Sequence, residues 1–376
     1  MKRISLIIAH LLILSVFWGC SEKVTNPEDK GIFVGGPEHP ATDGTYTSRI
    51  YSEHGIASLE EIFLGGDNQW ILIRGYDVAK PVLIFLHGGP GSACIFYATY
   101  SLSGLENDFV VVTWDQLGSG KSYNENIDPK SLTFERLYLD THELVLKMIS
   151  RFEVEKVYLM GLSWGSILGI NIAKDFPDLI QAYIGVGQVV DAARGFQIAY
   201  NAVLNKAKDE ANQSAIEELS KIHPDSTWQH QEIISKWVEL FGFGDFHDQV
   251  KAVQIRDELE SSLTEYTSED ILNLDKGKIL YSQSPLGSDL TWLKNINMIT
   301  LIPNFEIPVY FLCGKFDYKT PYQLVEEYYQ NLNAPVGKEL IMFENSAHVP
   351  ILEERNMFHD VMINKVLSKH TTAKYN

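Results

Sequence analysis

Ser163, Asp317 and His348 lie far apart in the chain, yet they are the residue types that together turn a weak hydroxyl into a nucleophile. Ser163 is centred in Gly161-Leu162-Ser163-Trp164-Gly165, a G-x-S-x-G pattern. The run Lys156–Met160, apolar after its lysine, reads as a strand before it, and Ser166 to Lys174 reads as a helix after it. A strand turning this sharply into a helix leaves no room for bulky flanks, which accounts for both glycines, and it pushes the serine out at the C-terminal edge of a sheet. A serine hydroxyl is a poor nucleophile alone. It needs a base, an acid that orients the base, and donors for the negative charge that develops on the attacked carbonyl.

The acid and the base follow in the order this arrangement requires. Pro308–Cys313 reads as a strand and leads into Gly314-Lys315-Phe316-Asp317. Glu339–Phe343 reads as the next strand and leads into Glu344-Asn345-Ser346-Ala347-His348. The expected roles are attack by Ser163, proton movement by His348, and fixing of the imidazole tautomer by Asp317. His87-Gly88-Gly89-Pro90-Gly91 directly follows the strand-like run Pro81–Leu86, and its glycines let backbone approach a substrate closely. One expected oxyanion donor is an N–H group of this loop and the other is the N–H of Trp164, at a helix N-terminus where negative charge is favoured. His87 is set aside as base because it precedes the serine and belongs to the glycine turn. Asp115 is set aside as acid and assigned to shaping the loop Asp115–Gly120. The other histidines, among them His247 and His359, carry no motif and are read as surface residues. Gly120-Lys121-Ser122 ends like a phosphate-binding loop, but the leading glycine is replaced by Asp115.

The elements that must position these residues alternate. Further strand-like runs are Leu59–Leu64, Gln69–Arg74, Phe109–Trp114 and Ala182–Val186, and helical patterns cover Phe134–Phe152, Pro321–Leu332 and Met357–Leu367. Continuous apolar runs separated by helices predict an α/β fold, with a parallel sheet buried on both faces and helices on both sides. The first runs lack helices between them and predict antiparallel hairpins at one edge. From about Val190 to Met298 the alternation stops, and a polar, aromatic, helical stretch with Trp228, Trp237 and Trp292 reads as a cap over the site. The expected organisation is core over 51–189, cap over 190–300 and core again over 301–376.

The N-terminus stands apart. Met1-Lys2-Arg3, an apolar stretch Ile4 to Trp18 and Gly19-Cys20 make an export signal over 1–19. A small residue before the first cysteine resembles a bacterial lipobox, so Cys20 is expected to be acylated and to tether the protein to a membrane of the cell envelope. Residues 20–50, rich in Pro, Gly, Glu and Asp, read as the tether. Three cysteines are too few for a disulfide framework; of the two besides Cys20, Cys313 sits in a strand-like run and reads as core, whereas the state of Cys94 is open. No Cys/His cluster has metal-ligand spacing. The formal net charge of −18 leaves no basic stripe for phosphates, so nucleic acid is not an expected partner.

His87–Gly91, Trp114-Asp115-Gln116-Leu117-Gly118-Ser119-Gly120-Lys121-Ser122 and Gly161–Ser166 together resemble the proline iminopeptidase branch of the α/β-hydrolases. The resemblance covers roughly 55–190 and 300–370. It implies an eight-stranded sheet with a helical cap, the triad named above, the N–H groups of Gly89 and Trp164 as oxyanion donors, and the release of an N-terminal residue from short peptides without metal or organic cofactor. Trp237-Val238-Glu239 resembles a cap segment with which that branch binds the substrate's ammonium, so Glu239 is an expected substrate contact, and Gly88 of the glycine turn is another. Leu117 stands where the branch commonly has an arginine. A carboxylesterase or lactonase acting on small esters is therefore the alternative, and a tethered protein that only binds its ligand is a third.

Overall fold

The computed structural model describes residues 33–34, 47–223, 228–262 and 264–371. The expected export signal, Cys20 and most of the tether lie outside the described residues.

Eight strands form one sheet: β1 (Ile56–Leu64), β2 (Asp67–Gly75), β3 (Val82–Leu86), β4 (Val110–Asp115), β5 (Val157–Leu162), β6 (Ile180–Val186), β7 (Val309–Gly314) and β8 (Lys338–Phe343). Their order across the sheet is β8-β7-β6-β5-β3-β4-β2-β1. The pairs β1–β2 and β2–β4 are antiparallel and the other five are parallel. The antiparallel edge arises because β1 and β2 are joined by the tight Gly65-Gly66 turn, whereas parallel neighbours need a crossover.

The alternation of side chains explains the continuous apolar runs. Ile84, Leu86, Val112, Trp114 and Leu159 point into one buried layer, while Leu83, Phe85, Val111, Tyr158 and Met160 point into the other. Each layer needs a cover. Helices α2 (Phe134–Phe152) and α3 (Trp164–Asp175) cover the first face through Leu137, Leu144, Ile167 and Leu168. Helix α1 (Ile95–Ser101) and the C-terminal turns around Phe358 and Met362 cover the second. Fully burying each such side chain contributes about 2 kcal/mol. The C-terminal helix departs from expectation: Arg355–Val361 is α-helical, but Met362–Leu367 winds in the wider π form.

Strand register brings the functional loops together. Leu86 pairs with Gly161, Leu162 with Val186, Val186 with Leu312, and Phe343 with Gly314. The loops carrying His87–Gly91, Ser163, Gly187, Asp317 and His348 therefore all leave one edge of the sheet, where ligands of open α/β sheets bind.

Between β6 and β7 the described chain is helical. It runs through α4 (Ala192–Asp209), α5 (Gln213–Leu219), α6 (Trp228–Leu240), α7 (Gln249–Ser262), α8 (Ser268–Gln283), α9 (Pro285–Ser288), a 3-10 segment Leu290–Asn295 and α10 (Met298–Leu301). Asp191 and Asn297 form an isolated bridge at the neck of this insertion, and Met298 N donates to Val190 O at 2.8 Å.

Candidate active site

Ser163 occupies the turn between β5 and α3 with φ 54° and ψ −119°. A non-glycine residue at positive φ is strained, of order 1 kcal/mol or more, and such strain persists only where the surroundings enforce it. The surroundings here are close. An added Cβ at Gly161 would lie 2.3 Å from Gly165 O, and one at Gly165 would lie 2.2 Å from Leu86 O. Both glycines are sterically required. Ser163 N donates to Val186 O at 3.0 Å, which ties the turn to the end of β6.

His348 and Asp317 meet on the far side of that same strand end. His348 Nδ1 is 2.9 Å from Asp317 Oδ2, and both residues are buried. Thr320 Oγ1 donates to the same Oδ2 at 2.7 Å, while the backbone N–H groups of Lys319 and Thr320 donate to Oδ1, each at 2.9 Å. An acceptor-only carboxylate opposite Nδ1 places the imidazole proton there and leaves Nε2 as the basic nitrogen. Gly187, at φ 52°, fits between the two halves of the site: a Cβ on it would lie 2.9 Å from His348 Cε1. Thr320 and Gly187 carry no motif, and sequence reasoning missed both.

The glycine loop lies next to the serine. A Cβ on Gly88 would approach Ser163 Cβ to 3.2 Å. His87, set aside above as a member of the turn, has a specific task. Its Nε2 accepts from Gln116 N at 3.0 Å, so its proton sits on Nδ1, which donates to Gly88 O at 2.7 Å. That carbonyl and the Gly89 N–H are opposite ends of one planar peptide group, so the clamp sets the direction of the Gly89 N–H. Gln116 adds a second tie: its side chain accepts from Trp164 Nε1 at 3.1 Å and donates to His87 O at 3.2 Å. Asp115 organises its loop, accepting from the N–H groups of Cys94, Ile95 and Lys121 and from the Tyr266 hydroxyl. Cys94 and Cys313 are both buried free thiols.

Burial holds the His87 pKa down at about 4. A histidine in the unfolded chain titrates near 6.5, so between about 6.5 and 4 the unfolded state binds a proton there that the fold does not. The stability tied to neutral His87 is therefore full above that window and falls with pH across it. Unfolding free energies measured from pH 7 to 4.5 are expected to show the wild-type advantage over His87→Gln shrinking by about 2 to 3 kcal/mol. The difference isolates this site, because buried Asp115 and Glu353, whose pKa values burial raises, act with the opposite sign. A constant difference across the window would contradict a neutral clamp. His359 is half-buried against Ser101 O and His247 stacks on Phe316, so neither is the free surface residue that the sequence suggested.

A cavity of about 410 Å³ opens over Ser163. Core residues Gly89, Pro90, Trp164 and Thr320 form its floor, and α4, α6 and α8–α9 form its walls. Gln231, Ile234, Ser235 and Val238 are one stripe of α6, and Ala192, Gly195, Phe196 and Ala199 are one stripe of α4. Glu239 and Gly88 are not among the lining residues. Glu239 is engaged elsewhere: Oε1 pairs with Lys319 Nζ at 3.1 Å and Oε2 accepts from Asp245 N at 3.0 Å. Lys319 Nζ also meets Asp245 Oδ1 at 2.7 Å. The loop so held fastens the helical insertion to the loops that carry Asp317 and His348, through Tyr318 N to Phe243 O, His348 N to Gly244 O and Val349 N to Asp245 O, at 3.0, 3.0 and 3.2 Å. Buried Glu353 supports the same region, accepting from Ala347 N and His247 N at 2.6 and 2.7 Å.

The model of the alpha/beta hydrolase fold family matches residues 81–355. The chain belongs to the α/β-hydrolase family. Within it the protein is proline iminopeptidase-like. It is 34% identical over 320 residues to the probable aminopeptidase YbaC of Bacillus subtilis (strain 168), covering 83% of this chain and 97% of that one. It is 29% identical to a proline iminopeptidase of Heyndrickxia coagulans, over 73% of this chain and 86% of that one. Among solved structures, a proline iminopeptidase-related protein of Thermus thermophilus shares the fold with a TM-score of 0.58 at 18% identity, covering 82% of this chain and 97% of that one. Family membership and the relatives' names make this α/β-hydrolase an enzyme of hydrolytic type.

Proposed function

We propose that this hydrolase uses Ser163 as its nucleophile, works through an acyl-enzyme, and is an aminopeptidase of proline iminopeptidase type acting on short peptides. The observation that carries the reading is the His348–Asp317 pair, 2.9 Å apart, across the end of β6 from a serine held at positive φ. In the first step Ser163 Oγ bonds to the substrate carbonyl carbon and its proton passes to His348 Nε2. The carbonyl oxygen becomes an oxyanion facing the N–H groups of Gly89 and Trp164. The carbon–nitrogen bond then breaks, and the leaving amine takes the proton from His348. Water repeats the sequence on the acyl-enzyme, giving up its proton to His348, and Ser163 is regenerated as the acid product leaves.

The second reading, a carboxylesterase, is favoured by the cavity wall. Phe196, Leu286, Trp292 and Leu324 dominate it, and Asp191 is the one carboxylate among its described lining residues. Asp191 already accepts from Arg194 N at 3.0 Å and Asn297 Nδ2 at 3.2 Å. An ammonium in this cavity would meet little uncommitted negative charge. Initial rates on prolyl and other aminoacyl arylamides against simple aryl esters decide between the two. Arylamide cleavage supports the aminopeptidase; ester turnover with no arylamide cleavage discards it.

A further inference from the structure

Two cavities share one wall. The cavity over Ser163 and a second of about 440 Å³ are both lined by Ile167, Leu286 and Trp292. The second continues past Phe134, Asn171, Pro285, Ile296, Met298 and Leu301, with no charged side chain among its described lining residues. Along α3, Trp164 and Ile167 face the first cavity, and Ile167 and Asn171 face the second. The second compartment therefore begins about one helical turn, ~6 Å, beyond the first. The indole of Trp292 stands in the partition. Its Nε1 donates to Leu286 O at 3.1 Å, and its ring meets that of Trp164 edge-on at 5.6 Å and 87°. Trp164 is the residue bonded to Ser163, so the partition is built against the reacting centre.

We propose that the second cavity is an extended subsite for an unbranched apolar chain of the substrate, and that Trp292 closes it and so sets the chain length accepted. The inference rests on Ser163 as the nucleophile and does not depend on whether an amide or an ester is cut. An uncharged, mostly apolar groove divided from the site only by three shared side chains suits alkyl chains, whose transfer from water gains about fourfold in affinity per methylene.

The test measures labelling rates with alkyl fluorophosphonates of increasing chain length, and kcat/KM for p-nitrophenyl esters of increasing acyl length and for acetate esters of increasing alcohol length. Wild type is expected to gain with length up to a break, where the chain meets the indole. In Trp292→Ala the gain continues, about fourfold per methylene, for several methylenes further. Trp292→Phe keeps the break, and Asn171→Phe in the Trp292→Ala background restores it by refilling the groove. Leu286→Ala thins the same wall and carries the test if Trp292→Ala does not fold. A break at the wild-type length in every series for both alanine variants overturns the subsite. Failure of the shortest fluorophosphonate to label wild type overturns the nucleophile instead, so the two failures are distinguishable.

Discussion

Ser163→Ala is expected to lower kcat by roughly 10⁴- to 10⁶-fold and to abolish labelling by fluorophosphonates. Alanine keeps the Cβ and meets the same φ of 54°, so the turn and its strain are retained. The hydrogen bond from the residue-163 N–H to Val186 O uses backbone only and survives. The thermal midpoint should therefore stay within a few degrees of wild type. What disappears is the oxygen proposed to form the acyl bond. Residual hydrolysis within a hundredfold of wild type, in protein that melts normally, would mean that another group attacks. Steady-state kinetics beside a melting curve make the comparison.

Asp317→Asn should cost nearly as much, about 10³- to 10⁴-fold in kcat, with KM little changed. The two Asp317 oxygens sit in different surroundings. Oδ1 receives two backbone N–H groups, from Lys319 and Thr320. Oδ2 faces His348 Nδ1 and the Thr320 hydroxyl. An asparagine would place its carbonyl oxygen at the Oδ1 position, because an NH₂ there would oppose two donors. Its NH₂ would then point at His348 Nδ1, which must become an acceptor. The imidazole proton moves to Nε2, and the nitrogen proposed to take the Ser163 proton is no longer basic. The substitution changes no volume, so a midpoint near that of wild type should accompany the loss. Activity within tenfold of wild type would show that the pair does not set the tautomer.

The middle of the sheet was legible because strands β3 to β7 are buried on both faces. Pro81–Leu86 has no polar residue and Phe109–Trp114 only Thr113, and the motifs for the serine, acid and base each follow such a run directly. The structure supplies the reason: the ends of β3, β5, β6, β7 and β8 are in register. Boundaries were less legible. β5 continues through Leu162, two residues past the expected end at Met160, and α3 begins at Trp164 instead of Ser166. Within the elbow, strand and helix are separated by a single residue, and no composition change marks the switch. The work of His87, Gln116 and Thr320 was hidden for another reason. Each acts through contacts set by loop conformation, which residue types alone do not specify. Glu239 shows the limit of transfer by resemblance. A glutamate in a matching segment has its role fixed by its partners, and here those are Lys319 and Asp245, from another loop and from the turn after its own helix.

The bonds from residues 243–245 to Tyr318, His348 and Val349 have a consequence for how such an enzyme could be rebuilt. The insertion that walls the cavity is also bonded to the loops that carry Asp317 and His348, so exchanging it disturbs both. A chimera exchanging the whole insertion would import a foreign grip on His348. Grafts that change substrate preference should leave 239–248 in place and exchange α4 or α8–α9 instead.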